Sequence, residues 1–258
     1  MLIGVSGKIG SGKDLVGKII QYHLYMDKEV RGRYYPPEVF IDELDTVDLN
    51  EVTNSEIKKY ADKLKDISCL LIGCTREQLE DRIFKETELG PEWWYYKGEA
   101  GIYPYNTPYE ANKKLPLIKP TPRMVLQEIG TDLFRNQLHP NVWINATMAE
   151  YQPIAGTMDV RRSKEIFPNW IITDVRFPNE ADAIKERKGL LLRVERPCKE
   201  CGLLRVHKMS CSKNLNEHIS ETALDDYNFD YTISNIGNIE ELIEKIKKIL
   251  ILEGIING

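Results

Sequence analysis

The sequence predicts an α/β protein whose parallel sheet is covered by helices on both faces. Three observations carry that expectation. An apolar strand, Leu2–Val5, runs into a glycine loop and out into a helical pattern of Leu15, Val16, Ile19, Ile20 and Leu24. Three further β-rich runs, at 170–173, 190–194 and 231–234, are continuous in apolar character instead of alternating. Helical patterns lie between and after them, at 179–188 and from Asn238 onward through Ile239, Leu242, Ile243, Ile246, Ile249 and Leu250. Strands apolar on both sides that alternate with helices belong to parallel sheets buried on both faces.

The chain has 258 residues, enough for one large domain spanning 1–258 with insertions. Its 42% hydrophobic and 29% charged residues are ordinary for a globular protein, and a net charge of −5 gives no electrostatic reason for nucleic acid to be the main partner. Leu2–Val5 leads into the glycine loop and not into a cleavage site, so no signal peptide is expected. Apolar runs such as Leu250–Ile256 fall far short of a membrane span. Those features predict no membrane partner and a cytoplasmic location, the host's if the protein is viral. Five cysteines without a secretion signal fit reduced thiols or a metal site better than a disulfide framework.

Along the chain, the first element with chemistry is Gly7-Lys8-Ile9-Gly10-Ser11-Gly12-Lys13, which matches G-x-x-x-x-G-K. Glycines let backbone N–H groups curl around phosphate oxygens, the helix N-terminus adds partial positive charge, and the lysine reaches the β/γ-phosphates. Asp14 stands where such loops place a Ser or Thr that ligates Mg²⁺. A carboxylate there can hold the metal directly or through water. Residues 27–54, with Pro36-Pro37 and the acidic run Asp42–Asp45, read as a surface insertion. Residues 55 to about 150 read as a substrate-binding region. Within it, the proline- and aromatic-rich stretch 90–121 reads as a long ordered loop. There Trp93, Trp94 and Tyr95 either stack on a base or pin the loop.

A helix is predicted from Thr121 as cap and Pro122 at its first position. Val125, Ile129 and Leu133 mark its buried side, while Arg123, Gln127 and Thr131 form a polar row at the same spacing. Gly130 beside that row costs about 1 kcal/mol in a helix interior, so something must approach its backbone closely. Such a face suits a phosphate and a base edge, or is simply a solvated helix face. Asp174 and Arg176 follow the second strand run. They can order Mg²⁺ water or a ribose hydroxyl and clamp phosphate, or pair across the sheet edge. Ligands of parallel sheets bind beyond the carboxyl ends of the strands, where Gly7–Lys13, Asp174, Arg176, Arg196 and Asn235 should gather.

At this point the chain resembles a family. The loop Ser6-Gly7…Gly12-Lys13-Asp14, the segment Ala61–Asp66, the block Arg123…Leu126-Gln127…Gly130-Thr131-Asp132…Trp143, the turn Asp174–Glu180 and His218-Ile219-Ser220-Glu221 recur in that order in bacteriophage deoxynucleoside monophosphate kinases. The likeness covers most of the chain except about residues 27–54 and 198–214. It implies a P-loop nucleotide kinase fold with substrate-side insertions and a lid at 196–220. It also implies phosphorylation of deoxynucleoside monophosphates to diphosphates by ATP with Mg²⁺. Lys13, Arg123, Asp174 and Arg176 would be catalytic, and Lys8, Gly10, Ser11, Gly12, Lys13 and Asp14 would hold ATP. Lys65, Arg82, Arg123, Gly130, Thr131, Trp143, Asp174, Arg176 and Glu180 would line the monophosphate site. Arg196 and His218–Glu221 would flank the lid. The family also carries Asp after the loop lysine. Phosphomevalonate kinases, which share Gly-Lys-Asp and a Ser-Glu segment, are the nearest competitor. A second copy of the chain is a further candidate partner.

Cys198-x2-Cys201-x5-His207-x3-Cys211 lies in the lid region. Four such ligands within fourteen residues suit tetrahedral Zn²⁺, and their spacing is close to that of a zinc knuckle. A structural zinc would stiffen an insertion without its own core; the alternative is four unlinked residues. A nucleic-acid-binding module built on that insertion is the third functional reading, and the acidic net charge disfavours it.

Overall fold

Leu2–Gly7 forms a strand, β1, because every residue from Leu2 to Ser6 is buried and no side chain there competes for the backbone. A computed structural model describes β1 and its surroundings over residues 1–28, 55–99, 101–106, 115–154, 158–159, 164–196 and 219–257. Most of the expected 27–54 insertion and of the 196–220 lid lies outside these residues, as do Cys198, Cys201, His207, Cys211 and His218.

The described residues form two units, Met1–Tyr60 with Thr147–Gly258, and Ala61–Ala146. In the first, β1 is central in a five-stranded sheet with β2 (Ser55–Lys58), β8 (Asn169–Val175), β9 (Leu190–Glu195) and β10 (Tyr231–Ser234). The order is β10-β9-β1-β8-β2 and every pairing is parallel. Residues alternate between faces as the pleat requires. Ile3, Val5, Ile171, Leu190, Leu192 and Val194 join one buried cluster with Val16, Ile19 and Ile20 of α1 (Lys13–Lys28) and Leu242, Ile243, Ile246 and Leu250 of the C-terminal helix Ile239–Leu252. Gly4 points the other way. A Cβ there would lie 2.5 Å from Ile184 of the helix Pro178–Glu186 and 2.7 Å from Leu191, so only glycine lets that helix close onto the sheet. Helices thus cover both faces, as the continuous apolar strands require. β8, β9 and β10 fall on the predicted runs; β2, whose only apolar residue is Ile57, does not figure among them. This unit also contains a short antiparallel pair, β6 (Met158–Asp159) and β7 (Lys164–Glu165).

The second unit departs from expectation in two places. The stretch 90–121 is more than a loop: β3 (Tyr95–Gly98), β4 (Gly101–Pro104) and β5 (Leu117–Ile118) form an antiparallel sheet in the order β4-β3-β5. Trp94 pins the start of its central strand, β3. The indole N–H donates to the Leu89 carbonyl at 2.8 Å, the ring meets Tyr105 edge-on, and Lys119 Nζ lies 4.4 Å from the ring centroid.

The helix after Thr121 starts as predicted, with Thr121 Oγ1 accepting from the Met124 N–H, but stays α-helical only over Pro122–Gln127. From Glu128 to Leu138 it widens into a π-helix. Bonds from i to i+5 break the i+4 register that the sequence implied. Ile129 and Gly130 are therefore buried while Leu133 is 41% exposed.

One titrating group is locked into the first unit's core. His23 on α1 is 5% exposed, and its Nε2 donates to the Ile243 carbonyl at 3.1 Å. Burial holds its pKa below the ordinary 6.5, and Lys247 adds to that; the Ile243 carbonyl and Glu244 oppose it without prevailing. In acid the unfolded chain therefore takes up a proton that native His23 refuses. Stability should fall as pH drops through about 6.5 and level off below the native pKa. Thermal melts at pH 7.5 and 5.5 should differ, and the difference should shrink in His23→Gln. An unchanged difference would clear His23 of the effect.

Candidate functional site

The site in the first unit starts from the loop that β1 feeds. Gly10 and Gly12 adopt φ of +76° and +94°, conformations that side-chain-bearing residues rarely take. Above Gly10 there is open space for an added atom out to 4 Å, whereas a Cβ on Gly12 would strike the Asn235 amide at 2.5 Å. Asn235 follows β10; it donates from Nδ2 to the Ser11 carbonyl at 2.8 Å and from its backbone to Glu195 at 2.7 Å. The tip of the loop is thereby tied to two strand ends, as the edge argument predicted. Ser11 is 3% exposed and its hydroxyl has no hydrogen-bond partner among the described residues. A buried unpaired donor beside left-handed glycines fits a loop that meets phosphate oxygens.

Charged groups surround the start of α1. Burial and the nearby Arg176 hold the Lys13 ammonium below its usual pKa, opposed by Asp14, Glu221 and Asp174. Burial alone would raise the Asp14 pKa, but Lys59, the Thr173 hydroxyl and Lys13 together outweigh it and keep the carboxyl below its ordinary value. Thr173 Oγ1 donates to Asp14 Oδ1 at 2.8 Å and Lys59 Nζ sits 3.1 Å from the same oxygen. Asp14 is nonetheless 60% exposed, so its carboxylate can still be reached from solvent. Asp174 is 7% exposed and accepts from the Tyr60 backbone N–H at 2.8 Å.

Two further carboxylates shape this edge. Glu180 is 2% exposed, and its Oε2 accepts from the backbone N–H groups of Arg176 at 2.8 Å and Phe177 at 3.1 Å. It ties the Asp174–Asn179 turn to its helix. Glu221, on the short helix Ile219–Thr222, pairs with Arg176 at 2.5 Å and accepts from the loop's Ile9 N–H at 2.8 Å. A carboxylate thus spans two anion donors, one a loop amide and the other a guanidinium. Arg196 is exposed just after β9.

In the second unit the cations also sit on carboxylates. Lys65 pairs with Glu80, Arg76 bridges Asp62 and Asp66, and Arg123 Nε pairs with Glu86. Arg82 is exposed at the first position of the helix Arg82–Glu86. Gly130 admits Leu64, which would lie 2.8 Å from an added Cβ. Trp143 is 4% exposed, donates from its indole to the Gly130 carbonyl at 2.8 Å and stacks on Phe134. Both therefore pack behind the surface, and of that block Arg123 and Thr131 stay partly accessible.

Sequence reasoning missed Lys59, Thr173, Arg193 and Asp225 as partners of the loop. Lys59 and Thr173 had position as a signal, near the carboxyl ends of β2 and β8; Arg193, inside β9, and Asp225, after the helix Ile219–Thr222, had none. Among the described residues no group of three or more His, Cys, Asp or Glu is arranged to hold a metal, and the four expected zinc ligands lie outside those residues.

A parallel sheet that delivers a left-handed glycine loop to a helix N-terminus, with lysine and arginine at the same edge, defines a P-loop protein. The chain belongs to the deoxynucleotide monophosphate kinase family, whose family model matches residues 118–246, half of the chain. It is 25% identical over 217 residues to the deoxynucleoside-5'-monophosphate kinase of Escherichia phage T5, covering 74% of each protein. It is 27% identical over 128 residues to the deoxynucleotide monophosphate kinase of Enterobacteria phage T4, covering 50% of this chain and 44% of that one. A protein of Acanthamoeba polyphaga mimivirus shares a shorter stretch, 37% identical over 84 residues, which is 30% of this chain and 40% of its relative. The chain thus spans less than half the length of the mimivirus and T4 relatives.

Proposed function

We propose that the protein transfers the γ-phosphoryl group of ATP to a deoxynucleoside monophosphate, giving a diphosphate. The observation that carries this reading is the loop itself: left-handed Gly10 and Gly12, a buried Ser11 hydroxyl without a partner among the described residues, and Lys13 beside Arg176 at one sheet edge. Phosphoryl transfer asks mostly for positioning and charge neutralisation, so no general base is required. Loop amides and Lys13 hold the β/γ-phosphates. Arg176 exchanges its Glu221 carboxylate for phosphate oxygens, a like-for-like replacement of one oxyanion by another. Asp14, set by Thr173 and Lys59, is the residue suited to hold Mg²⁺, which when bound supplies charge neutralisation between the phosphates. In the second unit, Lys65, Arg82, Arg123 and Thr131 are the proposed acceptor contacts, with Gly130 and Trp143 shaping the backbone beneath them.

A coupled ADP-release assay across deoxy- and ribonucleoside monophosphates tests the reading and reports the preferred base. Release with phosphomevalonate and with no nucleotide would replace it with the rival kinase. The proposed setting is the cytoplasm, the host's if the protein is viral; no described helix is long and apolar enough to cross a membrane. A second copy of the chain is the proposed partner, which sedimentation would detect.

For Cys198, Cys201, His207 and Cys211 we propose a structural Zn²⁺ that tethers residues 198–214. Elemental analysis of reduced protein expressed with zinc should find about one ion per chain. Cys201→Ser should raise protease sensitivity there. Absence of zinc under those conditions ends this proposal and leaves the kinase reading untouched.

A further inference from the structure

Arg193 is a guanidinium near the middle of a sheet, 9% exposed, on β9 opposite Ser6 of β1. It donates to the Ser6 hydroxyl at 3.1 Å and to Asp225 Oδ1 at 3.0 Å, and lies over the Phe229 ring. The other oxygen of Asp225 reaches Lys8 Nζ at 3.4 Å. The chain Ser6–Arg193–Asp225–Lys8 therefore starts and ends on the residues flanking Gly7, the first glycine of the loop. Gly7 cannot carry a side chain to anchor itself, because a Cβ would meet Ser11 Oγ at 2.3 Å and the Val194 carbonyl at 2.8 Å.

An ion pair with one buried and one partly exposed partner is weak support for stability, since desolvating the guanidinium offsets much of its Coulombic gain. Its value here is geometric. Asp225 lies three residues beyond the helix that carries Glu221, and its backbone N–H is fixed on the Thr222 carbonyl at 3.0 Å. Consecutive loop residues, Lys8 and Ile9, are thus held by carboxylates of one short segment.

We propose that Arg193 and Asp225 are positioning residues for the nucleotide loop: the buried guanidinium orients Asp225, which holds Lys8 where the ATP phosphates arrive. Preorganising a cation in this way lowers the ordering cost of binding the phosphates. The inference rests on the kinase reading above.

The test is Asp225→Asn, which keeps shape and removes charge at a 38% exposed side chain. The KM for ATP should rise about tenfold, with kcat, the acceptor KM and the melting temperature close to wild type. In a Lys8→Ala background the same substitution should add nothing, because the coupled partner is gone. Titration of the wild type with Mg·ATP separates the two claims. A wild type that binds no ATP fails the nucleotide reading and the brace together. A wild type that binds while Asp225→Asn binds equally well fails the brace alone. An undiminished effect in Lys8→Ala also overturns it. Asp225→Ser is the second variant and must show the same split; failure of both variants to fold would assign Asp225 to stability and overturn the proposal.

Discussion

Replacing Lys13 with alanine is expected to cut turnover about a hundredfold or more, while the protein stays folded. The lysine is held below its usual pKa by burial and by Arg176, so the fold gains nothing from its charge. Its charge matters when phosphate oxygens lie against it. Loss of one strong donor to a developing oxyanion costs on the order of 3 kcal/mol, which is about two decades in rate. Steady-state kinetics with saturating acceptor and a thermal melt of the variant check both halves of the statement. Near-native turnover with every acceptor would remove the loop from the reaction.

Arg123→Ala should weaken acceptor binding without touching ATP. In the structure Arg123 pairs with Glu86, and both side chains are well exposed, 39% and 54%. An exposed pair of that kind contributes under about 1 kcal/mol, so the melting temperature should barely move. An acceptor phosphate deprived of a charge-assisted bond should lose roughly 1.5–3 kcal/mol, about ten- to a hundredfold in the acceptor KM. A rise in the ATP KM with the acceptor KM unchanged would mean that the two roles have been assigned to the wrong units.

The sheet was readable wherever a strand carries a run of apolar and β-branched residues. Trp170–Thr173, Leu190–Val194 and Tyr231–Ser234 carry enough apolar residues to declare themselves, and each is a strand. β2 was silent because Ser55-Glu56-Ile57-Lys58 supplies one apolar residue, whereas β10, the other edge strand, announced itself through Tyr231, Thr232 and Ile233. The small antiparallel sheet was hidden among tyrosines and prolines, in strands of two to four residues too short to show a period. Periodicity misled once, at Leu133, since a 3.6-residue pattern cannot announce the π-helix that carries it outward. At the site, glycine spacing and Lys13 were legible because the chemistry itself demands them. Arg193 and Asp225 were not, because their meaning is a contact between residues 32 positions apart. Glu180 was legible in position, but its hold on two backbone amides was not, because that bond depends on how the Asp174–Asn179 turn folds back on its helix.

The strand order has a consequence for how the chain is made. β1 and β2 are not neighbours; β8 lies between them, and the Met1 amino group bonds to Asn169, 168 residues away. At ribosomal rates of about 5–20 residues per second, the first strand waits roughly 10–30 seconds for any sheet partner. Ala61–Ala146 is continuous in sequence and emerges whole before β8 does. Non-local parallel pairing is slow to nucleate, and unpaired strand edges invite aggregation meanwhile. The glycine loop, whose geometry depends on β1 and on Asn235 beyond the last strand, is therefore among the last features to take shape. Ribosome-bound chains cut short before residue 235 should bind no ATP, even with residues 1–28 complete.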